Sequence, residues 1–200
     1  MRIKNFHYEL SWARLVSDIL SPPIVWALLA FPIAFREADS VQEALRWASI
    51  YIFLVCVVPI LFIFWMVKRG SITDIHMKIR RQRIRPFLVS LFSTGLAWGV
   101  LRLMGAPSMI LMLALFSLIQ LTVMTFITLV WQISIHAISI SGATVALAVL
   151  FGSIPALLST PTIFIVGAAR IKLKRHTPAQ VLAGTLVGMI IPLALFVFIL

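Results

Sequence analysis

The chain has 200 residues, 62% of them hydrophobic and 12% charged, with a mean hydropathy of +1.08 and a formal net charge of +11. So much apolar surface cannot be hidden in a soluble domain, and the apolar runs are continuous rather than alternating; a soluble globule and a β-barrel are excluded, and an all-α, polytopic membrane bundle remains. The bases cluster beside the apolar runs, which points to anionic headgroups or an anionic substrate as partners and away from nucleic acid.

Residues 1–18 mix Phe6, Leu10, Trp12, Leu15 and Val16 with Arg2, Lys4, Glu9, Arg14 and Asp18, the pattern of an interfacial amphipathic helix with a Trp anchor. Their polarity, followed by Pro22-Pro23, does not fit a cleavable signal. The first span covers roughly 19–35, and the loop Arg36 to Arg46 holds Glu37, Asp39 and Glu43. The second covers roughly 47–67, contains Cys56 and ends at Lys68-Arg69-Gly70. Cys56 is the only cysteine, so no intrachain disulfide can form and a thiolate metal site is not expected.

Residues 70–85 form the longest polar insert. Ile72, Ile75 and Ile79 keep a helical stripe, and seven residues of helix would aim Lys78 and Arg85 to almost the same side. Arg85 precedes Pro86, which pushes it out of helical geometry and suits the first turn of the next span. The stretch 86–131 is too long for one crossing, and Gly105-Ala106-Pro107-Ser108 divides it into spans of roughly 87–104 and 108–131. The fifth span covers roughly 137–154. Pro155 and Ser159-Thr160-Pro161 mark a turn before a short sixth segment, about 158–171, and the last span is roughly 178–200. The whole is one membrane domain of six or seven transmembrane helices with an interfacial N-terminal helix. Trp47, Trp65 and Trp131 read as interface anchors, and Ser139, Ser141, Gly142 and Ala143 as small residues for helix packing.

Three groups of cations and histidines fall at span ends: Lys78 with Arg85-Pro86, Ser134-Ile135-His136, and Arg170 with His176. Two crossings separate each group from the next, so all three share one membrane side with the N-terminus. Only Arg36, Arg46 and Arg102 fall opposite, against the other 14 of the 17 Lys and Arg residues, which places the shared side at the cytoplasmic face of the cell membrane. Cations at a bilayer edge are costly and call for a reason. Phosphate supplies one: a phosphoryl group in transfer spreads negative charge over its outer oxygens, arginine and lysine balance that charge, and imidazoles attack phosphorus or carry protons.

The order Lys78, six residues, Arg85-Pro86, then Ser134-Ile135-His136, then Arg170, five residues, His176 resembles the type 2 phosphatidic acid phosphatase superfamily. The resemblance covers about residues 78–180. The first motif matches in full. The family's Pro-Ser-Gly-His stands here as Ile133-Ser134-Ile135-His136, and its Ser-Arg-x5-His-x3-Asp as Ala169-Arg170, five residues, His176, three residues, Gln180. The resemblance implies a metal-independent phosphatase with no cofactor, acting on a membrane lipid phosphate or diphosphate, isoprenyl or glycerolipid, through a phosphohistidine. It makes His176 the nucleophile, His136 the general acid, and Lys78, Arg85, Ser134 and Arg170 the phosphate ligands. Gln180 replaces the Asp that orients the nucleophile: its amide oxygen can fix a tautomer without offering charge, and Asp74 is the candidate for the missing carboxylate.

Plainer readings stand beside each of these. Lys78 to Arg85 also suits a positive flank, Ser134 an N-cap, and Thr177-Pro178-Ala179-Gln180 a capping box. A protein that binds or transports a lipid phosphate without turnover is the alternative function. A membrane prenyltransferase needs clustered carboxylates, and the chain has six in all, with no pair in a plausible site.

Overall fold

The computed structural model describes residues 11–199, and these are helical with short connections. Helix α1 (Trp12–Ile19) starts at Ser11, whose Oγ accepts from the Arg14 N–H, and buries Ala13 and Ser17. A 47° bend leads into α2 (Pro22–Glu37), whose paired prolines occupy its first turn, where no N–H is needed. Helix α3 (Val41–Tyr51) runs through a π-helical stretch, Ile52–Val57, into α4 (Val58–Lys68). Pro59 has no N–H to give the carbonyl four residues back, and the chain widens into the π turn just before it. After residues 69–79 and a 3-10 turn at Arg80–Arg83 come α5 (Ile84–Leu103), α6 (Ser108–Val130), α7 (Ile135–Phe151), α8 (Ser153–Lys172) and α9 (Pro178–Ile199).

The molecule is a helical membrane bundle. Five helical stretches are long and apolar enough to cross a bilayer: Val41–Lys68, Arg80–Leu103, Ser108–Val130, Ser153–Lys172 and Pro178–Val197. The bent pair α1–α2 makes a sixth, and α7, apolar but only 17 residues long, lies among them. Residues 1–10 of the expected interfacial helix lie outside the described residues.

Four local expectations are corrected. The acidic loop 36–46 is shorter than expected, because Ser40 and Glu43 form a reciprocal cap (Ser40 Oγ accepts from the Glu43 N–H, the Glu43 carboxylate from the Asp39 N–H) and helix begins at Val41. Residues 70–79 are not helical: Met77 has φ +47°, so Lys78 and Arg85 do not share a helix, while Arg85 itself lies inside α5. The break before the sixth segment falls at Gly152, with φ +90°, which a residue lacking Cβ adopts without strain; Pro155 then fits the first turn of α8, Pro161 lies within it, and the segment reaches full spanning length. Trp47 is buried rather than interfacial, its indole N–H donated to Glu43.

Helix α7 is the centre of the bundle, packed against α9, α8 and α2, and is buried without interruption from His136 to Thr144. Its approach to α9 needs glycine. A Cβ at Gly184 would stand 2.6 Å from the Ser134 carbonyl oxygen, and one at Gly188 would overlap Ser141 and the Ile138 backbone. Ser141 Oγ spans this seam, donating to Ala137 O at 2.7 Å and reaching Thr185 O at 3.1 Å. At the end of the bundle holding Arg36, Arg46 and Arg102, the Glu37 carboxylate caps α6 through the Met109 N–H (2.7 Å) and Ser108 (3.0 Å), and Arg36 donates to the Leu150 carbonyl at the end of α7. The opposite end gathers the C-termini of α1, α4, α6 and α8 with the N-termini of α2, α5, α7 and α9.

Candidate functional site

That second end holds most of the buried charge among the described residues. Arg83 comes from the 3-10 turn, His136 from the first turn of α7, Arg170 from the last turn of α8 and His176 from the connection to α9; all four are buried, Arg83 and Arg170 to within 2% and 1% exposure. Arg170 lies within electrostatic reach of Arg83, Arg175, Asp18 and Asp74, and His136 of Arg170, His76 and His176. Segments far apart in the chain therefore converge at one end of the bundle.

Hydrogen bonding divides the cluster into satisfied and unsatisfied atoms. Arg83 donates Nε to Met77 O (3.0 Å) and Nη1 to Ile133 O (3.3 Å), which fixes its guanidinium. Arg170 Nε and Nη1, His176 Nε2 and His136 Nδ1 are buried and have no hydrogen-bond partner among the described residues. Buried polar atoms without partners are rare and costly, and here both kinds occur together: guanidinium donors and imidazole nitrogens.

The tautomers are set by the partners that are present. Gln180 Oε1 accepts from the Thr177 N–H at 3.1 Å and stands 3.2 Å from His176 Nδ1. An amide oxygen in that position accepts a proton from Nδ1, which leaves the lone pair on Nε2. Burial, then the neighbouring Arg83 and Arg170 cations, push His176 down to about 4, against the opposing influence of Gln180 and of the Gln132 backbone; the ring is neutral at neutral pH. His136 turns Nε2 to the Ser17 carbonyl at 3.1 Å, so its Nε2 carries the proton and Nδ1 is bare.

The remaining candidates read from the sequence take other places. Ser134 is fully buried and its Oγ caps α7 through the Ala137 N–H, while its own N–H is donated to Gln180 O at 3.1 Å; the cap reading describes it. Gln180 serves the capping box and His176 together, since Thr177 Oγ1 accepts from the Gln180 N–H (3.3 Å). Asp74 pairs with Arg175 at 3.2 Å and accepts from the His76 N–H at 2.8 Å, so its bonds go to these two residues rather than to His176. Lys78 and Arg85 are exposed and bring no side-chain bond to the cluster; Lys78 instead offers its carbonyl to Gln132.

Sequence reasoning missed Arg83, His76 and Asp18. Arg83 lies in a run of bases, Arg80-Arg81-Gln82-Arg83, that suits a membrane flank, and only the fold tells which of them turns inward. His76 Nε2 is 3.2 Å from Asp18 Oδ1, and its ring lies 6.2 Å from that of His136 at 21° between planes. Burial lowers its proton affinity first, then Arg170 and Arg175, while Asp18 and Asp74 oppose them. The signal available was the scarcity of carboxylates: two of the six stand at this end beside a histidine.

Below the cluster an apolar cavity of about 410 Å³ runs between α2, α4, α5, α6 and α7. Trp26, Phe64, Phe87 and Met124 line its length, and Asp18, His76 and His136 form its polar end. A pocket of that size and lining suits a hydrocarbon tail with a polar head.

Comparison with family models, with curated proteins and with solved structures finds no match to this chain. The fold and site define an integral membrane protein with a buried cation and histidine cluster, of which His76 and His136 also line an apolar cavity.

Proposed function

We propose that the protein is a metal-independent phosphatase for a lipid phosphate or diphosphate, working through a phosphohistidine. The observation that carries this reading is the buried Arg170 guanidinium with two donor nitrogens unpartnered, in the same buried cluster as a neutral His176 whose Nε2 has no hydrogen-bond partner among the described residues. An anion would complete both groups: Arg170 and Arg83 balance the charge on the outer phosphoryl oxygens, and Nε2 attacks phosphorus. The tail lies in the apolar cavity, so the leaving oxygen emerges where His76 and His136 stand. The N–P bond forms as the P–O bond to the lipid breaks, the leaving oxygen takes its electron pair and a proton, and water then cleaves the phosphohistidine. The excess of Lys and Arg at this end supports a site on the cytoplasmic face of the cell membrane.

A second reading, a lipid-phosphate binder or carrier without turnover, has its own support in Gln180, which orients His176 but gives no charge to a forming imidazolium. One experiment separates the two. Purified protein with chelator present is offered a panel of lipid phosphates and diphosphates, and inorganic phosphate is measured. The phosphatase reading expects release by the wild type, abolished in His176→Ala and unaffected by chelator. Binding of the panel without release, unchanged by His176→Ala, establishes the carrier instead.

A further inference from the structure

We propose that His76, held by Asp18, gives the proton to the leaving oxygen, and that His136 positions the phosphate instead. This rests on the phosphatase reading above and assigns its proton step. The two histidines share the polar end of the cavity, on the side where the ester oxygen must depart, but their hydrogen bonding differs. His136 is only 4% exposed, and its one proton, on Nε2, is committed to the Ser17 carbonyl at 3.1 Å. Its bare Nδ1 accepts and does not donate; it suits a protonated phosphoryl oxygen. His76 has a carboxylate 3.2 Å from Nε2, the partner that stabilises an imidazolium, and it is partly exposed, so water can reload it. The Asp74 carboxylate, bonded to the His76 backbone N–H, adds to that field, while Arg170 and Arg175 oppose the charge. A bound phosphate reverses this balance: its negative charge offsets the two arginines, and His76 becomes protonated when substrate is present.

The step balances. The His176 Nε2 lone pair forms the bond to phosphorus, the P–O bond breaks with its electrons on oxygen, and the proton on His76 Nδ1, opposite the Nε2 held by Asp18, moves to that oxygen to release the lipid alcohol. Neutral His76 then accepts a proton from the water that attacks the phosphohistidine, which restores the starting state.

The test compares two substrates with the same tail: an alkyl lipid phosphate, whose alkoxide cannot leave unprotonated, and a lipid-tailed nitrophenyl phosphate, whose phenolate can. His76→Ala is expected to lose about 10²–10⁴-fold in turnover on the alkyl substrate and less than about tenfold on the aryl one. Activity on the aryl substrate also reports that the variant is folded. Asp18→Asn is expected to show the same leaving-group dependence with a smaller loss, and His136→Asn to lose equally on both. Equal loss on both substrates in His76→Ala, or leaving-group dependence in His136→Asn alone, overturns the assignment. Release of phosphate from neither substrate by the wild type removes the phosphatase reading itself, and the proton step with it.

Discussion

His176 makes the stability of the fold depend on pH in a way that can be isolated. Its pKa falls from an ordinary 6.5 to about 4 on folding. The unfolded chain therefore binds the proton more readily, and the stabilisation is fully present above 6.5 and lost as pH falls toward 4. Complete loss amounts to about 3 kcal/mol, and acidification from about pH 7.5 to about pH 5 removes about 2 kcal/mol of it. For a chain of this length that is a drop of about 4–8 °C in Tm. Other groups at this end titrate too, so the measurement is a difference: thermal unfolding in detergent for wild type and His176→Asn at both pH values. The wild type is expected to lose about 4–8 °C more than the variant. Parallel decreases in the two proteins refute the claim that the folded environment rejects a proton at His176.

Arg170→Met removes a buried guanidinium whose donors lack partners; it should raise Tm by several degrees while abolishing phosphate or vanadate binding, since about 1–3 kcal/mol of desolvation cost is relieved. Arg83→Met should lower phosphate affinity more than tenfold, whereas Lys78→Ala and Arg85→Ala should each change it less than about threefold, as titration of the three purified variants will read. Gly188→Leu should destabilise by more than about 3 kcal/mol, because no flexible neighbour can yield where its Cβ would meet Ser141 and the Ile138 backbone; loss of a folded peak in size-exclusion chromatography reads it out. Gln180→Leu should cost about 1 kcal/mol through the lost cap and also reduce turnover, and a Gln180→Glu variant should recover the cap.

The class of fold and the common end of the bundle for the three clusters were legible because both rest on counting: apolar runs give helices, and successive antiparallel helices alternate ends. The Thr177-to-Gln180 box and the Ser134 cap were legible for a similar reason, being written in adjacent residues. Which base turns inward was not. Lys78-to-Arg85 spacing assumes a helix, and a single left-handed residue at Met77 and the 3-10 turn at Arg80–Arg83 rotate Arg83 into the position assigned to its neighbours. The Asp18–His76 pair joins residues 58 positions apart, across the whole of the first hairpin, and nothing local marks it. Pro155 and Pro161 drew attention to the wrong place because proline is conspicuous; the real hinge is the lone Gly152.

Helix α7 has 17 residues, a length of about 25 Å, against a hydrocarbon layer of about 30 Å. Its far end is tied to Arg36, so the shortfall is taken up at the His136 end. Because α2, α8 and α9 enclose that end, the shortfall of about 5 Å leaves a recess within the protein rather than a dent in the lipid. A thicker leaflet deepens that recess, so the thickness of the host bilayer, independent of its chemistry, sets how far a polar headgroup must descend to reach it.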